Sequence, residues 1–176
     1  AIVEAYDVRK AVKEEIQSLG AKFLESPLVA EGTGGYAREL TQEEKDQQHK
    51  FMADSIGRTD VVITTAQVPG KKAPLIITID MIEKMRPSSV IVDIAAENGG
   101  NCELTKPGET VEHKGVLIYG PLNLPSTLPT HASEMYSKNL LNFLNLLTKD
   151  GKTLDVDFND EVLQKSCLTY KGETKI

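Results

Sequence analysis

Small polar residues directly follow two short apolar runs of this chain. Thr64–Ala66 end the run that begins at Asp60, and Glu97–Asn101 follow the run that begins at Ser89. Short β-branched runs are typical of parallel strands that are buried on both faces of a sheet. In open α/β sheets, ligands bind beyond the carboxyl ends of such strands. These stretches are therefore candidate ligand contacts, and their small side chains leave room for a flat ligand.

A third run, Ala1–Tyr6, ends at Asp7. A carboxylate at the end of the second strand of a dinucleotide-binding fold accepts hydrogen bonds from the hydroxyl groups of an adenosine ribose. Its negative charge also repels a 2′-phosphate, so this interpretation favours NAD over NADP. An aspartate in front of a helix is equally typical of an N-cap, and the sequence does not separate the two roles.

The elements that would position these residues alternate between strand and helix. Apolar residues three and four apart predict the helices. Alternation at this spacing predicts an α/β fold with a Rossmann-like, doubly wound and mainly parallel sheet. The predicted strands are Ala1–Tyr6, Ala21–Leu24, Asp60–Thr65, Val90–Ile94 and Gly115–Tyr119, with closing strands at Leu154–Phe158 and Ser166–Tyr170; the predicted helices are Val8–Leu19, a helix that Thr41 caps and that ends near Ile56, Ile79–Met85 with Thr78 as its cap, and Thr130–Thr148.

One glycine-rich stretch matches the text of a phosphate-binding turn but not its context. Gly32–Ala37 reads G-x-G-x-x-A, whereas such a turn must follow a buried strand that aims a helix N-terminus at the pyrophosphate. Polar and proline-containing residues precede it here, so we predict a loop over Ser26–Leu40 with Tyr36 at its tip. If Asp7 contacts a ribose, the first strand and its glycine-rich turn are lacking in this chain and lie upstream of Ala1.

A sheet that lacks its first strand has an empty position in its middle. In the strand order 3-2-1-4-5-6 that position lies between the strands predicted at Ala1–Tyr6 and Asp60–Thr65. Unpaired backbone groups there would each cost about 1–3 kcal/mol. We therefore expect another polypeptide, or a further part of a longer native protein, to supply the strand. We also expect two domains, a partial dinucleotide-binding domain over residues 1–129 and a second segment over residues 130–176.

Composition excludes several function classes. The chain has 176 residues and a net charge of −6, which argues against nucleic acid or an anionic membrane as a direct partner. No stretch approaches the roughly 20 apolar residues of a membrane span. Cys102 and Cys167 are predicted to be reduced thiols, with a disulfide between them as the less favoured alternative. No histidine has the spacing to a cysteine that a metal site needs.

Several unusual stretches occur together in this chain. They are Tyr6-Asp-Val-Arg9, Gly34-Gly-Tyr-Ala37, Ile63-Thr-Thr-Ala66, Pro69-Gly-Lys-Lys-Ala-Pro74, Arg86-Pro-Ser-Ser-Val-Ile-Val-Asp93, Ala95-Ala-Glu-Asn-Gly-Gly-Asn-Cys-Glu103 and Asn123-Leu-Pro-Ser126. In this combination the chain resembles the NAD(H)-binding domain I of proton-translocating NAD(P)+ transhydrogenases, which belongs to the alpha subunit in bacteria. The resemblance runs over nearly the whole chain and covers only the second half of that domain.

The resemblance implies an NAD(H)-binding component of an enzyme that transfers hydride between NAD(H) and NADP(H). In the family, NADP(H) binds to a partner, domain III, and the membrane domain II couples the transfer to proton movement. Residues 130–176 would link to the N-terminal half of domain I, which is a homodimer in the family. The chain would be a peripheral component on the cytoplasmic or matrix side of an energy-transducing membrane, without a transmembrane segment. Direct hydride transfer needs two nicotinamides in contact and water excluded, and no catalytic acid, base or nucleophile.

Three segments and one helix residue of this chain match positions that hold NAD(H) in the family. The matches lie at the adenosine ribose, on a mobile loop that closes over the nucleotide, on the helix after that loop, and at the nicotinamide. In that order they are Asp7, Val8 and Arg9; Gly35 and Tyr36; Gln48; and Thr65, Ala66 and Gln67. Gln67 departs from the family, which usually has an aliphatic residue there. The glycine-rich turn and the loop that orients the nicotinamide have no counterpart in this chain.

Two alternatives stay open at this point. Alanine dehydrogenases share the architecture, but resemble Ile-Asp-Gln-Gly-Gly, with a working aspartate, where this chain has Ala96-Glu-Asn-Gly-Gly100. That difference favours a transhydrogenase. The second alternative is a non-catalytic module for nucleotide binding or assembly, because a chain without the pyrophosphate turn could bind NAD weakly or not at all.

Overall fold

A computed structural model of the chain describes residues 1–7, 9–26, 41–68, 70–148 and 151–175. Within these residues the chain forms two compact units, Ala1–Leu122 and Asn123–Ile176. Val8 and almost all of the loop predicted over residues 26–40, with its glycine-rich stretch, lie outside the described residues.

The larger unit is built on a four-stranded sheet with the order β3-β4-β6-β5. β3 (Val61–Thr64), β4 (Val90–Asp93) and β6 (Val116–Tyr119) are parallel, whereas β5 (Thr110–His113) runs antiparallel to β6. The sequence predicts the same three parallel strands with slightly longer ends. The prediction of an α/β fold with a mainly parallel sheet is confirmed.

β5 is a strand that the sequence analysis does not predict. It joins β6 through Lys114 and Gly115, which have positive φ angles of 49° and 81°. Positive φ at both central residues marks a type I′ hairpin turn, whose twist matches that of the two strands. Asn, Asp or Gly is the usual residue at the first of these positions. Lys114 is not one of these residues, so the sequence lacks the usual signal that a turn here joins two paired strands.

The first two strands, β1 (Glu4–Ala5) and β2 (Lys22–Phe23), form a separate parallel pair. A 3₁₀ turn and α1 (Lys13–Ser18) connect them, and Gly20 follows the helix with a φ of 83°. Glycine adopts this left-handed conformation without a clash at Cβ, so the chain can leave the helix here. The predicted helix extends to Leu19, whereas α1 ends at Ser18, and Leu19 is 87% exposed.

α2 (Gln42–Ile56) begins with a reciprocal pair of hydrogen bonds. Thr41 Oγ1 accepts from the Glu44 backbone N–H at 3.3 Å, and Glu44 Oε2 accepts from the Thr41 backbone N–H at 2.9 Å. Such a capping box satisfies two backbone donors that have no partner within the helix. The predicted cap at Thr41 and the predicted helix end near Ile56 are confirmed.

α3 (Ile79–Ile82) has a different cap from the predicted one. Thr78 occupies the N-cap position, but its hydroxyl donates to Asp80 Oδ1 at 2.6 Å and does not cap the helix. Glu103 Oε2 accepts instead from the Ile79 backbone N–H at 2.9 Å. The loop that follows β4 therefore holds the start of α3.

One face of the four-stranded sheet is buried against α2 and α3. The buried members of this core are Ala53, Ile56, Ile77, Met81, Ile82, Met85, Ile91, Cys102, Val116 and Ile118. Full burial of an isoleucine or methionine side chain contributes roughly 1.5–3 kcal/mol relative to its exposure. This core fixes the parallel strands, whose carboxyl ends carry the candidate site.

The opposite face of the sheet is exposed in the described part of the chain. Val61 and Ile63 on β3 are 54% and 62% exposed, and Leu117 and Tyr119 on β6 are 40% and 41% exposed. The prediction that these strands are buried on both faces is therefore wrong for the chain as described. A doubly wound sheet needs helices on both of its faces, whereas α2 and α3 both contribute to the core on one face.

Among the described residues, β1 pairs only with β2, and β3 pairs only with β4. An ion-pair network holds β1 to the residues just before β3, because Arg58 Nη2 lies 2.6 Å from Glu4 Oε2. Lys22 Nζ lies 3.2 Å from Glu4 Oε1. Hydrogen bonds from Arg58 and then from Lys22 lower the pKa of Glu4. β1 and β3, the two strands predicted to flank an empty position, do not pair with each other in the described residues.

The smaller unit contains α4 (Pro129–Leu146), α5 (Glu161–Ser166) and the hairpin of β7 (Thr169–Tyr170) and β8 (Glu173–Thr174). No residue of α4 is buried. Its exposed apolar residues include Met135, Tyr136, Leu140, Leu141 and Leu144, which are 46% to 69% exposed.

The two closing strands predicted for this unit are wrong in most of their length. Residues 154–158 form only an isolated antiparallel bridge, between Leu154 and Thr148. Residues 166–170 contain the end of α5 and then β7. Asp160 explains the helix, because its Oδ1 accepts from the backbone N–H groups of Val162 and Leu163 at 2.9 and 3.0 Å.

Candidate functional site

Asp7 and Arg9 form a bonded pair just beyond the carboxyl end of β1. Asp7 Oδ1 accepts from the Arg9 backbone N–H at 2.8 Å and from Arg9 Nε at 3.0 Å, and Oδ2 accepts from Nη2 at 3.0 Å. The hydrogen bonds from Arg9 lower the pKa of Asp7 against the opposing effect of its partial burial. Asp7 is not the N-cap of α1, because Val12 occupies that position without a side-chain cap. The carboxylate is 27% exposed, so a ligand can reach it.

Gln48 contacts Tyr6, the residue that precedes Asp7. Gln48 Nε2 donates to the Tyr6 hydroxyl at 2.7 Å. The Tyr6 and Phe51 rings lie 6.2 Å apart between centroids and are tilted by 52°. The first turns of α2, fixed by its capping box, thus carry Gln48 to the end of β1. Of the three residues predicted here as a nucleotide site, Asp7 and Arg9 bond to each other, and Gln48 bonds to the residue before Asp7.

Thr65, Ala66 and Gln67 form the turn after β3. Thr65 and Gln67 are exposed, and Ala66 is half-buried. Asn98 Nδ2 donates to Gln67 Oε1 at 3.1 Å, so the side chain that departs from the family pattern joins the turn to the loop after β4. The Ala73 backbone N–H donates to the Asn98 carbonyl at 2.8 Å and joins the same loops again.

Asn101, the last residue of the stretch predicted as a ligand contact over Glu97–Asn101, has a supporting role instead. Asn101 is fully buried and bonds to the backbone of Ala66, so it supports the turn and is not open to a ligand. Asp93, the last residue of β4, is also fully buried and holds the backbone of Asn101. The sequence signal for Asp93 is a polar residue inside an otherwise apolar strand, which must find hydrogen-bond partners in the protein; Asn101 lies in a polar, glycine-rich stretch and has no such signal.

Backbone hydrogen bonds within the loop after β4 pair several of its own N–H and carbonyl groups. The N–H groups of Asn98 and Gly100 donate to the Ala95 carbonyl at 2.9 and 3.0 Å, and the Gly99 N–H donates to the Ala96 carbonyl at 3.1 Å. Glu97 is exposed at the rim of this loop.

The predicted site residues fall into two clusters and a group outside the described residues. Asp7 and Arg9 form the first cluster, beyond the end of β1 in the two-stranded sheet, and Gln48 on α2 bonds to the neighbouring Tyr6. Thr65, Ala66 and Gln67 form the second, at the end of β3 in the four-stranded sheet. The remaining predicted residues, Val8, Gly35 and Tyr36, lie outside the described residues.

Two histidines and both cysteines, residue types that can do chemistry, have the following contacts in the structure. His49 Nε2 lies 3.1 Å from Thr78 Oγ1, and the His49 side chain is 41% exposed. His113 is the last residue of β5, and its Nε2 lies 3.1 Å from Glu83 Oε1. Cys102 and Cys167 are free thiols, and burial raises the pKa of Cys102. Among the described residues, no three His, Cys, Asp or Glu side chains are grouped as metal ligands.

Comparison with known proteins decides the family. The model of the family described as "Alanine dehydrogenase/PNT, C-terminal domain" matches residues 1–176. The chain belongs to this family. Within the family, it is 46% identical over 177 residues to an NAD(P) transhydrogenase subunit alpha chain of Rhodospirillum rubrum. The match covers 98% of this chain and 46% of that relative, so the chain spans about half the length of the curated relative.

The structural comparison agrees with this membership. A transhydrogenase from Sinorhizobium meliloti matches with a TM-score of 0.72 and 38% identity, over 99% of this chain and 45% of that one. An alanine dehydrogenase of Staphylococcus aureus is 29% identical over 69% of this chain and 34% of its own length. The resemblance stated from the sequence motifs and the Rossmann-like fold class are confirmed. Every helix of the described residues is too short or too polar to cross a membrane.

Proposed function

We propose that this chain is the NAD(H)-binding component of a transhydrogenase that transfers hydride between NAD(H) and NADP(H). One observation carries the proposal: the ionised Asp7 carboxylate lies at the carboxyl end of β1, in a chain that is 46% identical to an NAD(P) transhydrogenase alpha subunit. Such a carboxylate accepts hydrogen bonds from ribose hydroxyl groups and repels a 2′-phosphate. Asp7 would thus select NAD(H).

The surroundings of Asp7 fit a ribose. An ionised carboxylate has about four acceptor positions, and Arg9 occupies three of them in this structure. The remaining position suits one ribose hydroxyl, and a second hydroxyl bonds when Arg9 releases one of its hydrogen bonds. Val8 and Arg9 would contact the adenosine beside Asp7, and Gln48 would contact the nucleotide from α2.

The nicotinamide would lie at the second cluster. Thr65 and Ala66 would contact it through small side chains and backbone groups, Gln67 would contact it through its backbone, and Gly35 and Tyr36 would close over the nucleotide. Hydride transfer then depends on how this turn places the ring and how well the closed site excludes water. Bound NAD(H) would supply the hydride chemistry itself.

The N-terminal half of domain I is the first partner in the proposal, in the same or a separate chain. Its strand would pair with the open edges of β1 and β3, and its helices would cover Val61, Ile63, Leu117 and Tyr119. Residues 130–176 would link the two halves. The exposed apolar face supports this proposal, because an uncovered sheet face of this kind is a site of association.

The rest of the proposed assembly is supported by the similarity to transhydrogenase alpha subunits. NADP(H) would bind to domain III of a partner, and a membrane domain II would couple hydride transfer to proton translocation. The chain would be a peripheral component of a homodimer, on the cytoplasmic or matrix side of that membrane. Sedimentation of the reconstituted domain tests the dimer.

Nucleotide binding and hydride transfer test the proposal in sequence. We expect the chain, reconstituted with the N-terminal half of domain I, to bind NADH in a fluorescence titration. With the NADP(H)-binding component added, we expect NADH to reduce NADP⁺. Oxidation of NADH that depends on pyruvate and ammonia would support an alanine dehydrogenase instead. Failure of the reconstituted domain to bind NADH would leave the non-catalytic assembly module as the better description.

A further inference from the structure

The Asn101 side chain pairs with the turn after β3 in the way that a strand would. Its Oδ1 accepts from the Ala66 backbone N–H at 3.0 Å, and its Nδ2 donates to the Ala66 carbonyl at 2.9 Å. Nδ2 also donates to the Pro74 carbonyl at 2.8 Å. Both amide donors of Asn101 are thus used, and one residue of the turn is held by its donor and its acceptor together.

This pairing continues the hydrogen-bond ladder between β3 and β4. The Asp60 carbonyl accepts from Val90, and the Thr64 carbonyl accepts from Ile94, each at 2.9 Å. Backbone groups of alternate residues face the same neighbour in a strand, so Ala66 is the next residue of β3 that faces β4. β4 has already ended there, and the amide side chain of Asn101 takes its place.

Asn101 is itself held from two sides. Its backbone N–H donates to Asp93 Oδ2 at 2.7 Å. Its carbonyl accepts from the backbone N–H groups of Ile76 and Ile77 at 2.8 and 2.9 Å. Side chain and backbone together thus join the end of β4 to the turn after β3 and to the segment before α3.

Asp93 is a fully buried carboxylate with five hydrogen bonds. Its Oδ1 accepts from Thr64 Oγ1 at 3.0 Å and from the Ala95 N–H at 3.1 Å. Its Oδ2 accepts from the Cys102 N–H at 3.0 Å and from Thr105 Oγ1 at 2.6 Å, besides Asn101. A carboxylate that is satisfied in this way is a rigid anchor, since each bond lost would leave a buried polar group without a partner.

Gly100 lets the backbone reach this anchor. Its φ is +76°, and a Cβ built on it would lie 2.8 Å from Asp93 Oδ2. An alanine here would therefore be strained in its backbone and would press against the carboxylate. The close approach places the N–H of the next residue, Asn101, on Asp93.

We propose that Asn101, anchored by Asp93, is a positioning residue that fixes the Thr65–Gln67 turn against the nicotinamide. The inference rests on the proposed function, because the nicotinamide contact of this turn belongs to that proposal. A displacement of about 1 Å at a reacting group can reduce a rate roughly 100-fold. The adenosine end of the site lies in the other sheet, at Asp7. Asn101 therefore governs the rate of hydride transfer more than the affinity for NADH.

The test uses Asn101→Asp in the complete assembly that contains this chain. The aspartate has the same shape but no donors, so it places a carboxylate oxygen against the carbonyls of Ala66 and Pro74. We expect single-turnover hydride transfer to fall about 10- to 100-fold, while the Kd for NADH changes less than about twofold. Asn159→Asp, at an exposed position of the smaller unit, is the matched control and should change neither value.

Amide hydrogen exchange gives a readout that does not depend on activity. The Ala66 amide should exchange at least about tenfold faster in Asn101→Asp, whereas the Val62 amide inside β3 should stay protected. If Asn101→Asp does not fold, Asn101→Ser removes the contacts of both amide atoms without adding a charge. The serine hydroxyl is too short to reach Ala66.

The outcomes separate the inference from the proposed function. A slower transfer at unchanged NADH affinity, with faster exchange at Ala66 alone, supports the inference. Equal losses in rate and affinity, faster exchange at Ala66 and Val62 together, or no change in either measurement overturns it. If the wild-type assembly transfers no hydride, the proposed function fails and the nicotinamide assignment fails with it. Exchange at Ala66 still decides whether Asn101 holds the turn.

Discussion

The guanidinium of Arg9 bonds to the carboxylate of Asp7 through two parallel hydrogen bonds. The Nε–Oδ1 and Nη2–Oδ2 distances are both 3.0 Å. Two such bonds between planar groups fix the orientation of both partners. The pair also places a cation directly beside the anion that would reject a 2′-phosphate. If the proposed ribose contact is made here, nucleotide selection would depend on the balance of these two adjacent charges.

Asp7→Asn should weaken NADH binding and reduce the discrimination against NADPH. The amide forms a weaker hydrogen bond to ribose, and a bond to a charged group contributes about 1.5–3 kcal/mol. NADH affinity should therefore fall roughly 10- to 100-fold. NADPH should lose less or gain, because the repulsion is removed and Arg9 is free to bind the 2′-phosphate. Fluorescence titration with both nucleotides measures the ratio.

Glu4→Gln is the control for this experiment. Glu4 lies on the same strand and pairs with Arg58 and Lys22, not with Arg9. The variant should leave the NADPH-to-NADH ratio unchanged. An unchanged ratio in Asp7→Asn as well would contradict the ribose assignment.

Arg9→Ala should raise the pKa of Asp7. Hydrogen bonds from Arg9 hold this pKa below its ordinary value, which is about 3.9 in unfolded chains. Because the folded value is the lower one, the ionised pair stabilises the protein above about pH 4, and this stability is lost as the pH falls through the folded pKa. The difference in the free energy of unfolding between wild type and Arg9→Ala should shrink over the same interval.

Carbon-13 NMR of the Asp7 carboxyl group measures the titration directly. Arg9→Lys keeps the positive charge without the two-pronged geometry, so its midpoint should lie between those of wild type and Arg9→Ala. Identical midpoints in wild type and Arg9→Ala would show that the pair does not exist in solution.

The open edge of β3 should be visible in amide exchange. Backbone groups of Val62 and Thr64 face β4, as the Thr64 carbonyl does when it accepts from Ile94 at 2.9 Å. The alternate residues Val61 and Ile63 face the unpaired edge. In the chain alone, the Val61 and Ile63 amides should exchange rapidly and the Val62 and Thr64 amides slowly.

Addition of the N-terminal half of domain I should protect the edge amides. The incoming strand would pair with Val61 and Ile63, whereas Thr110 and Glu112 at the far edge serve as the internal reference. Rapid exchange of Val61 and Ile63 in the reconstituted domain would rule out strand insertion at this edge.

Local signals explain which elements the sequence predicts well. α2 is predictable because Thr41 caps it through neighbouring residues, and the parallel strands are predictable because their apolar runs are continuous. β5 is not predictable in this way, because its partner is fixed by a hairpin turn with Lys114 at a position that usually holds Asn, Asp or Gly. The strand predicted over residues 154–158 is wrong because a short apolar run does not form a strand without a partner.

In the candidate site as well, the sequence predicts the features that follow from the strand pattern and misses the side-chain contacts. The sequence places Asp7 and the Thr65–Gln67 turn at strand ends, which depends only on the strand pattern. It does not reveal that Arg9 donates hydrogen bonds to the Asp7 carboxylate, or that the Asn101 side chain is buried and bonds to the backbone of Ala66. The Asn101 contact joins residues 35 positions apart, so its geometry is set by packing, whereas the contact of Arg9 with Asp7 is local but depends on the conformation of both side chains.

Thr41→Ala should destabilise the larger unit and loosen Gln48. Removal of an N-cap hydroxyl typically costs about 1 kcal/mol, and here the Glu44 N–H would lose its 3.3 Å partner. The first turns of α2 carry Gln48 to the Tyr6 hydroxyl, so fraying would weaken that contact and lower NADH affinity as well. Thr41→Ser keeps the hydroxyl and should retain the stability and the affinity of the wild type. Urea unfolding and NADH titration measure the two effects, and a stability loss without any change in affinity would separate the helix cap from the nucleotide site.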